Sequence, residues 1–153
     1  MQDIFGKIPA IDPKISTCHS GGATGADTVW EVFTMKYGGK PIAYSHKTPN
    51  HRSPNKKEIS DADYEEGIQE VNRANHVMNR WNVQKYMSLL ARNWAQVKYS
   101  QQIVAIGNIV LKGKKNSKGF YNKGKLDVVD GGTGYAVTMG ILHRRLIFVF
   151  EQT

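Results

Sequence analysis

Two short stretches, SGGATG at residues 20–25 and DGGTG at 130–134, place glycines where the chain turns into helix-like sequence. Glycine at this density costs conformational entropy, so it belongs where a bare backbone is needed. The head of a helix offers unpaired N–H groups and a partial charge of about +0.5. Glycines let an oxyanion approach those groups with no Cβ in the way. The chemistry that both stretches suit is therefore phosphate binding by main-chain amides. Neither is a standard motif. A P-loop needs a lysine after its last glycine, and neither stretch has one. The dinucleotide fingerprint nearly fits 20–25, but Ser20 stands at its first glycine, and the acid expected about 20 residues later is replaced by AYSHK. A kinase and a conventional NAD dehydrogenase are set aside on these grounds.

The elements that would position these turns follow from periodicity. KISTCHSGG (14–22) reads as a strand entering the first turn, and residues 25–38 read as a helix with Val29, Val32, Phe33 and Tyr37 at helical spacing. A second short strand is expected over 40–47 and a loop over 48–57, marked by Pro49 and Pro54. Residues 58–81 read as a helix capped by Ser60, with Ile68, Val71 and Ala74 or Asn75 on one face. Residues 82–100 read as another helix, with Tyr86, Leu89, Leu90 and Trp94 towards the core. The apolar run 101–111 suits a central parallel strand covered on both faces. LDVVDGGTGYAVTMGI repeats strand, glycine turn and helix, and 144–152 closes with a strand. Alternating strands and helices give an α/β fold with a mainly parallel sheet. In such a sheet both glycine turns lie at the carboxyl edge, where these folds bind ligands.

Length and composition bound the rest. One domain is expected over residues 1–153, since about 150 residues bury roughly 70% of their unfolded surface. No apolar run approaches the ~20 residues of a membrane span. The N-terminal residues lack a secretory apolar segment, and the single cysteine, Cys18, suits a reducing compartment. The expected setting is cytoplasmic, without membrane association. Net charge is +8, which favours an anionic partner. KGKKNSKGFYNKGK (112–125) concentrates lysines in a hairpin-like stretch, either a solvated tip or a flap that clamps an anion. Cys18 reads as an inert buried thiol, and His19 and His46 as residues able to reach a pocket rim. Trp30 and Trp94 could stack a base, though their spacing suits the core. No histidine or cysteine spacing supports a metal site.

The segments SGGATGADTVWE, LLARNWAQVKYSQQIVAIG and VVDGGTGYAVTMGI together resemble the SLOG superfamily of Rossmann-like nucleotide-binding proteins. That group includes the Lonely Guy phosphoribohydrolases, the DNA-processing protein of natural transformation and sensor domains for cyclic ADP-ribose-type signals. The branch most resembled is that of the molybdenum-cofactor carriers. The resemblance spans most of residues 14–151 and omits the lysine-rich insertion. It implies a single Rossmann-like domain with helices on both sheet faces. It also implies phosphate and ribose contacts from Ser20, Gly21, Gly22, Ala23, Thr24 and Gly25, with Asp27 on ribose hydroxyls. Arg92 and Asn93 match the family's Arg-Asn pair, and a guanidinium fork suits phosphate. Gly131, Gly132, Thr133 and Gly134 would complete the cradle, with Gly107 and Asn108 beside the base or ribose.

One departure bears on activity. The phosphoribohydrolases carry Pro-Gly-Gly-x-Gly-Thr-x-x-Glu, and their glutamate takes part in cleavage. Here DGGTGYAVT puts Asp130 on the proline, Tyr135 on the threonine and Thr138 on the glutamate. An oxocarbenium-like state needs a carboxylate that threonine lacks. The resemblance therefore implies a non-catalytic binder of a nucleotide-derived small molecule of the ADP-ribose or cyclic ADP-ribose type. No effector domain is read within these residues, so carriage or signal sequestration is expected, and no further cofactor is needed. The alternatives are an N-glycosidase or phosphoribohydrolase using Asp27, Glu31 or Asp130 as a substitute acid, and nucleic-acid binding through the basic charge. The family also implies homo-oligomers, for which the apolar faces of helices 58–81 and 82–100 are candidates.

Overall fold

A computed structural model describes residues 11, 12 and 14–152; the outermost residues of the expected 1–153 domain lie outside them. The chain is α/β, with strands at β1 (Thr17–Ser20), β2 (Lys40–Ser45), β3 (Lys56–Glu58), β4 (Gln102–Gly107), β5 (Ile109–Val110), β6 (Val128–Val129) and β7 (Leu146–Glu151). The helices are α1 (Ala26–Lys36), α2 (Asp61–Met78), α3 (Met87–Lys98) and α4 (Thr133–Leu142), and a 3₁₀ turn over Gln84–Tyr86 leads into α3. Strands β1, β2 and β3 form a parallel sheet in that order, and β4 pairs in parallel with β7. β5 and β6 make a small antiparallel ribbon.

Register fixes which face each residue serves. Tyr44 packs with Ile59 and Ala95, so α3 lies on its side of the first sheet. Ser20 reaches Glu31 of α1, which covers the opposite side. Helices thus flank that sheet on both faces. α2, α3 and α4 pack together around Val71, Leu90, Trp94, Val97 and Met139, which form the main core. α4 also covers one face of β4–β7, meeting Ile103 and Ile147 at Gly140.

α2 begins where its sequence says it should. The Ser60 hydroxyl accepts the Asp63 N–H at 3.1 Å, Asp61 and Asp63 complement the helix dipole, and Asn79 ends the helix in the left-handed region. Gly67 lies directly against the backbone of Ala91, so α2 and α3 cross at close range. Lys98 pairs with Asp63 and Glu66 at 2.8 Å each, and Trp94 donates to Glu66, fastening the same two helices.

Several sequence expectations are corrected. The stretch 48–57 is not all loop: Lys56–Glu58 pairs with β2, held by backbone bonds that need no apolar side chain. The run 101–111 breaks after Gly107, and among the described residues β4 has one strand partner rather than two. Its covering helix is α4 on one face. β6 runs antiparallel to β5, so the second glycine turn does not follow a parallel strand. Tyr86 and Leu89 are exposed, whereas Leu90 and Trp94 are buried as expected.

The largest surprise is α1. Its inward face is polar, with Glu31 buried and Asp27 and Thr34 half-buried. Val29, Trp30, Val32, Phe33, Met35 and Tyr37 point outward and are 38–56% exposed. The apolar faces of α2 and α3, by contrast, are consumed in the core.

Candidate anion-binding site

The first turn is built by a network of polar residues centred on Glu31. Glu31, 3% exposed, accepts from Ser20 Oγ at 2.7 Å, from Asn55 Nδ2 at 3.0 Å and from Ser53 Oγ. Burial pushes its carboxyl up, yet the hydrogen bonds from Ser53, Ser20 and Asn55 prevail and hold it below the ordinary glutamate range. The carboxylate ties α1 and β1 to the loop between β2 and β3. Ser20 Oγ also accepts the Gly22 N–H at 2.9 Å, and Asp27 accepts the Ala23 N–H at 3.2 Å. Two of the turn's amides are therefore satisfied from within.

What remains open is the turn's tip and the head of α1. Gly25 precedes the helix at φ +114 with no side chain capping it, and a Cβ there would meet nothing within 4 Å. Ala23, Thr24 and Gly25 are exposed. A φ in this range admits glycine readily and other residues poorly. The residues at the helix head are thus exposed and uncapped by any side chain.

Beside Gly21 lies a cluster from α3. A Cβ on Gly21 would stand 2.8 Å from Gln96 Nε2, 2.9 Å from Asp27 Oδ2 and 3.4 Å from Arg92 Nη2. Arg92 is 7% exposed; its Nε has no partner, and Nη1 reaches only the Tyr44 carbonyl at 3.5 Å. Burial pushes the guanidinium down from its ordinary value, with the Asp27 carboxylate acting in the opposite sense. Gln96 donates to Asn93 Oδ1 at 3.1 Å, and Asn93 Nδ2 donates to the Gly132 carbonyl at 3.3 Å. Arg92, Asn93 and Gln96 occupy one stripe of α3, and that stripe spans from the first glycine turn to the second.

The second turn is held from the other side by Arg80, which donates to the carbonyls of Gly131 at 3.0 Å and Val129 at 3.2 Å. Gly131 has φ +72 with open space beside it, and no side chain caps α4. Gly131, Gly132 and Thr133 are exposed. Gly134 serves packing: a Cβ there would overlap the Val129 carbonyl. Gly107 is similar, since a Cβ would stand 2.7 Å from Val129 Cγ1. The Asn108 carbonyl accepts the Asp130 N–H at 2.9 Å, so these two residues support the second turn from beneath.

The remaining sequence candidates fall elsewhere. Thr138 is 2% exposed, inside the α4 packing. Trp94 is core and donates to Glu66, while Trp30 is on the outer face of α1. His19 bonds the Tyr44 hydroxyl at 2.8 Å, and His46 stacks on Tyr64. Cys18 is a half-buried free thiol, pushed up by burial. Among the described residues no group of histidine, cysteine or acidic side chains is arranged to hold a metal ion. No described helix is long and apolar enough to cross a membrane.

Five site residues escaped the sequence reading: Ser53, Asn55, Arg80, His51 and Gln96. Gln96 was in the motif, and its i+4 spacing from Arg92 was a usable sign. Arg80 and His51 gave none. The His51 ring covers Gly22, with both ring nitrogens buried and unpartnered, because the short crossover from β2 to β3 passes over the first turn. Compared with models of known protein families, with curated proteins and with solved structures, the chain matches none.

Proposed function

We propose that the chain is a SLOG-type binding protein that holds the phosphate of a nucleotide-derived small molecule, of the ADP-ribose or cyclic ADP-ribose type, between its two glycine turns without cleaving it. The observation that carries this is Arg92: a buried guanidinium with an unpartnered Nε, set against Gly21 on the α3 stripe that also reaches Gly132. A buried charge without a paired carboxylate is costly, and a phosphate would supply the missing partner with charge-assisted bonds. Two uncapped helix heads add amide donors.

Binding rather than turnover is favoured by the state of Asp27 and Glu31, two of the three carboxylates that could substitute for the missing acid. Glu31 is committed to three donors within the fold, and Asp27 to the Ala23 amide. Thr138 stands where the resembled hydrolases carry their acid. Retention of an intact ligand suits carriage or sequestration. Titration calorimetry with ADP-ribose and cyclic ADP-ribose tests this, followed by mass spectrometry of the ligand released on denaturation. Micromolar or tighter binding with unchanged ligand is expected. Binding no tighter than millimolar overturns the site, and recovered cleavage products overturn the non-catalytic role.

A second copy of the chain is the proposed occupant of α1's outer face. At roughly 150–250 Å² per large side chain, six half-exposed residues present on the order of 500 Å² of apolar surface. That is at the upper end of what a monomer leaves bare and most of one side of a standard interface of ~800 Å² per partner.

A further inference from the structure

A cavity of about 140 Å³ lies between the lysine-bearing hairpin, the second glycine turn and the end of α2. We propose, resting on the phosphate site above, that it holds the aminopurine ring of the bound nucleotide. Asp130 would accept from the ring's N–H donors, and Phe120 and Tyr121 would supply the stacking wall.

Size selects a ring. An apolar cavity of about 150 Å³ accepts a single six-membered ring such as benzene, so this one would take the amino-bearing six-membered ring of a purine with the five-membered ring at its mouth, whereas whole-ligand pockets run to ~300–1,000 Å³. This one suits part of a ligand. Chemistry then selects the part. The lining carries the Asp130 carboxylate, which repels phosphate, while the side-chain oxygens of Asn79, Asn116 and Asn122 already accept from neighbouring donors. Arg80, the cation on the lining, already donates to two main-chain carbonyls. Asp130 receives only two 3.3 Å contacts from the one Asn116 amide, well short of what a carboxylate can accept. Phe120 and Tyr121 line the space and are 69% and 57% exposed. A planar heterocycle with an amino edge satisfies all of these.

Position joins the cavity to the cradle. Asp130 is on the cavity wall and immediately precedes Gly131, so ring and phosphate would lie on either side of one turn. The hairpin is firmly built. The Lys125 N–H donates to the Val77 carbonyl at 2.8 Å, Gly124 packs on Met78, and the Asn116 side chain accepts from Lys118 and Phe120. The lysine-rich insertion is thereby a wall of the base pocket, with no lysine on the lining itself and Lys115 Nζ 4.8 Å over the Tyr121 ring.

Calorimetry on the full chain tests this with AMP, GMP and ribose 5-phosphate, with purine riboside 5′-monophosphate as the amino-free control. AMP or GMP is expected to bind at least tenfold tighter than ribose 5-phosphate, with the amino-free nucleotide weaker than the better of the two. Asp130→Asn and the double variant Phe120→Ala/Tyr121→Ala should bring that nucleotide close to the ribose 5-phosphate value, with ribose 5-phosphate itself unchanged in the double variant and no weaker in Asp130→Asn. Equal binding of nucleotide and ribose 5-phosphate by the unmodified protein overturns the base pocket and spares the phosphate site. Failure of every phosphate-bearing probe overturns both. Variants that keep full nucleotide affinity place the ring elsewhere and overturn the proposal.

Discussion

The side-chain amide of Asn93 donates to the carbonyl of Gly132 at 3.3 Å, while the same residue's oxygen receives Gln96, which abuts Gly21. Segments more than a hundred residues apart are thus spaced by one side of α3. Asn93→Leu keeps the branched shape and removes the link. Affinity for ADP-ribose should fall about tenfold, the value of roughly one hydrogen bond of ~1–1.5 kcal/mol, with the helix content by circular dichroism unchanged. Unaltered affinity would show that the spacing does not matter.

Arg92 separates binding from stability. Met in its place removes a buried charge that lacks an ion-pair partner and retains an apolar stem, a replacement that is often neutral or stabilising. Arg92→Met should therefore melt at or above the temperature of the unmodified protein. Its ADP-ribose affinity should fall ten- to hundredfold, as expected for hydrogen bonds to a charged group. A lower melting temperature with unchanged affinity would make Arg92 a purely structural residue.

Glu31 governs behaviour in acid. Its folded carboxyl titrates below the ordinary value of 4.5, so its stabilisation is present above that value and lost as pH falls through the folded one. Glu31→Gln should cost roughly 2 kcal/mol near neutrality, or about 4–8 °C in melting temperature. The gap to the unmodified protein should close on acidification below pH 4.5. Parallel melting curves of the two proteins down to pH 3 would contradict this.

Gly67 sets a competition between propensity and contact. Alanine is about 1 kcal/mol better than glycine inside a helix, but its Cβ would overlap the Ala91 carbonyl, a backbone atom that cannot retreat without moving α3. Overpacking costs typically 1–3 kcal/mol. Gly67→Ala should therefore lower the midpoint in chemical denaturation. A raised midpoint would mean that the helices part more easily than their crossing suggests.

Legibility in the sequence tracked local physics. Ser60 announced its helix because a cap is a contact within four residues. Leu90 and Trp94 were placed inward by period alone. β3 was hidden because Lys56–Glu58 owes its place to the backbone of β2. The orientation of β6 was hidden too, since two residues of valine pair equally well either way. At the site, Gly131 and Gly132 were readable as an open turn, whereas Gly134 and Gly107 carry the same letter for a packing reason. The bridge residues Asn93 and Gln96 share a readable helical spacing beside Arg92, whereas the cover supplied by His51 depends on a chain crossing that no local pattern encodes.

Removing α1's outward side chains should expose what they serve. Val32→Glu with Phe33→Glu introduces charge on the solvent side and leaves Glu31 and its partners intact. Light scattering should show a dimer for the unmodified chain and a monomer for the variant. A monomeric unmodified chain at tens of micromolar would dismiss the second copy.

α1 carries both that outward stripe and Asp27 and Glu31, which shape the first turn. Self-association would therefore act on the ligand-holding loop through a single rigid rod. Protein concentration then becomes a thermodynamic variable: mass action links dilution to thermal midpoint and ligand affinity alike. A dilute sample would hold its nucleotide less firmly than a crowded one.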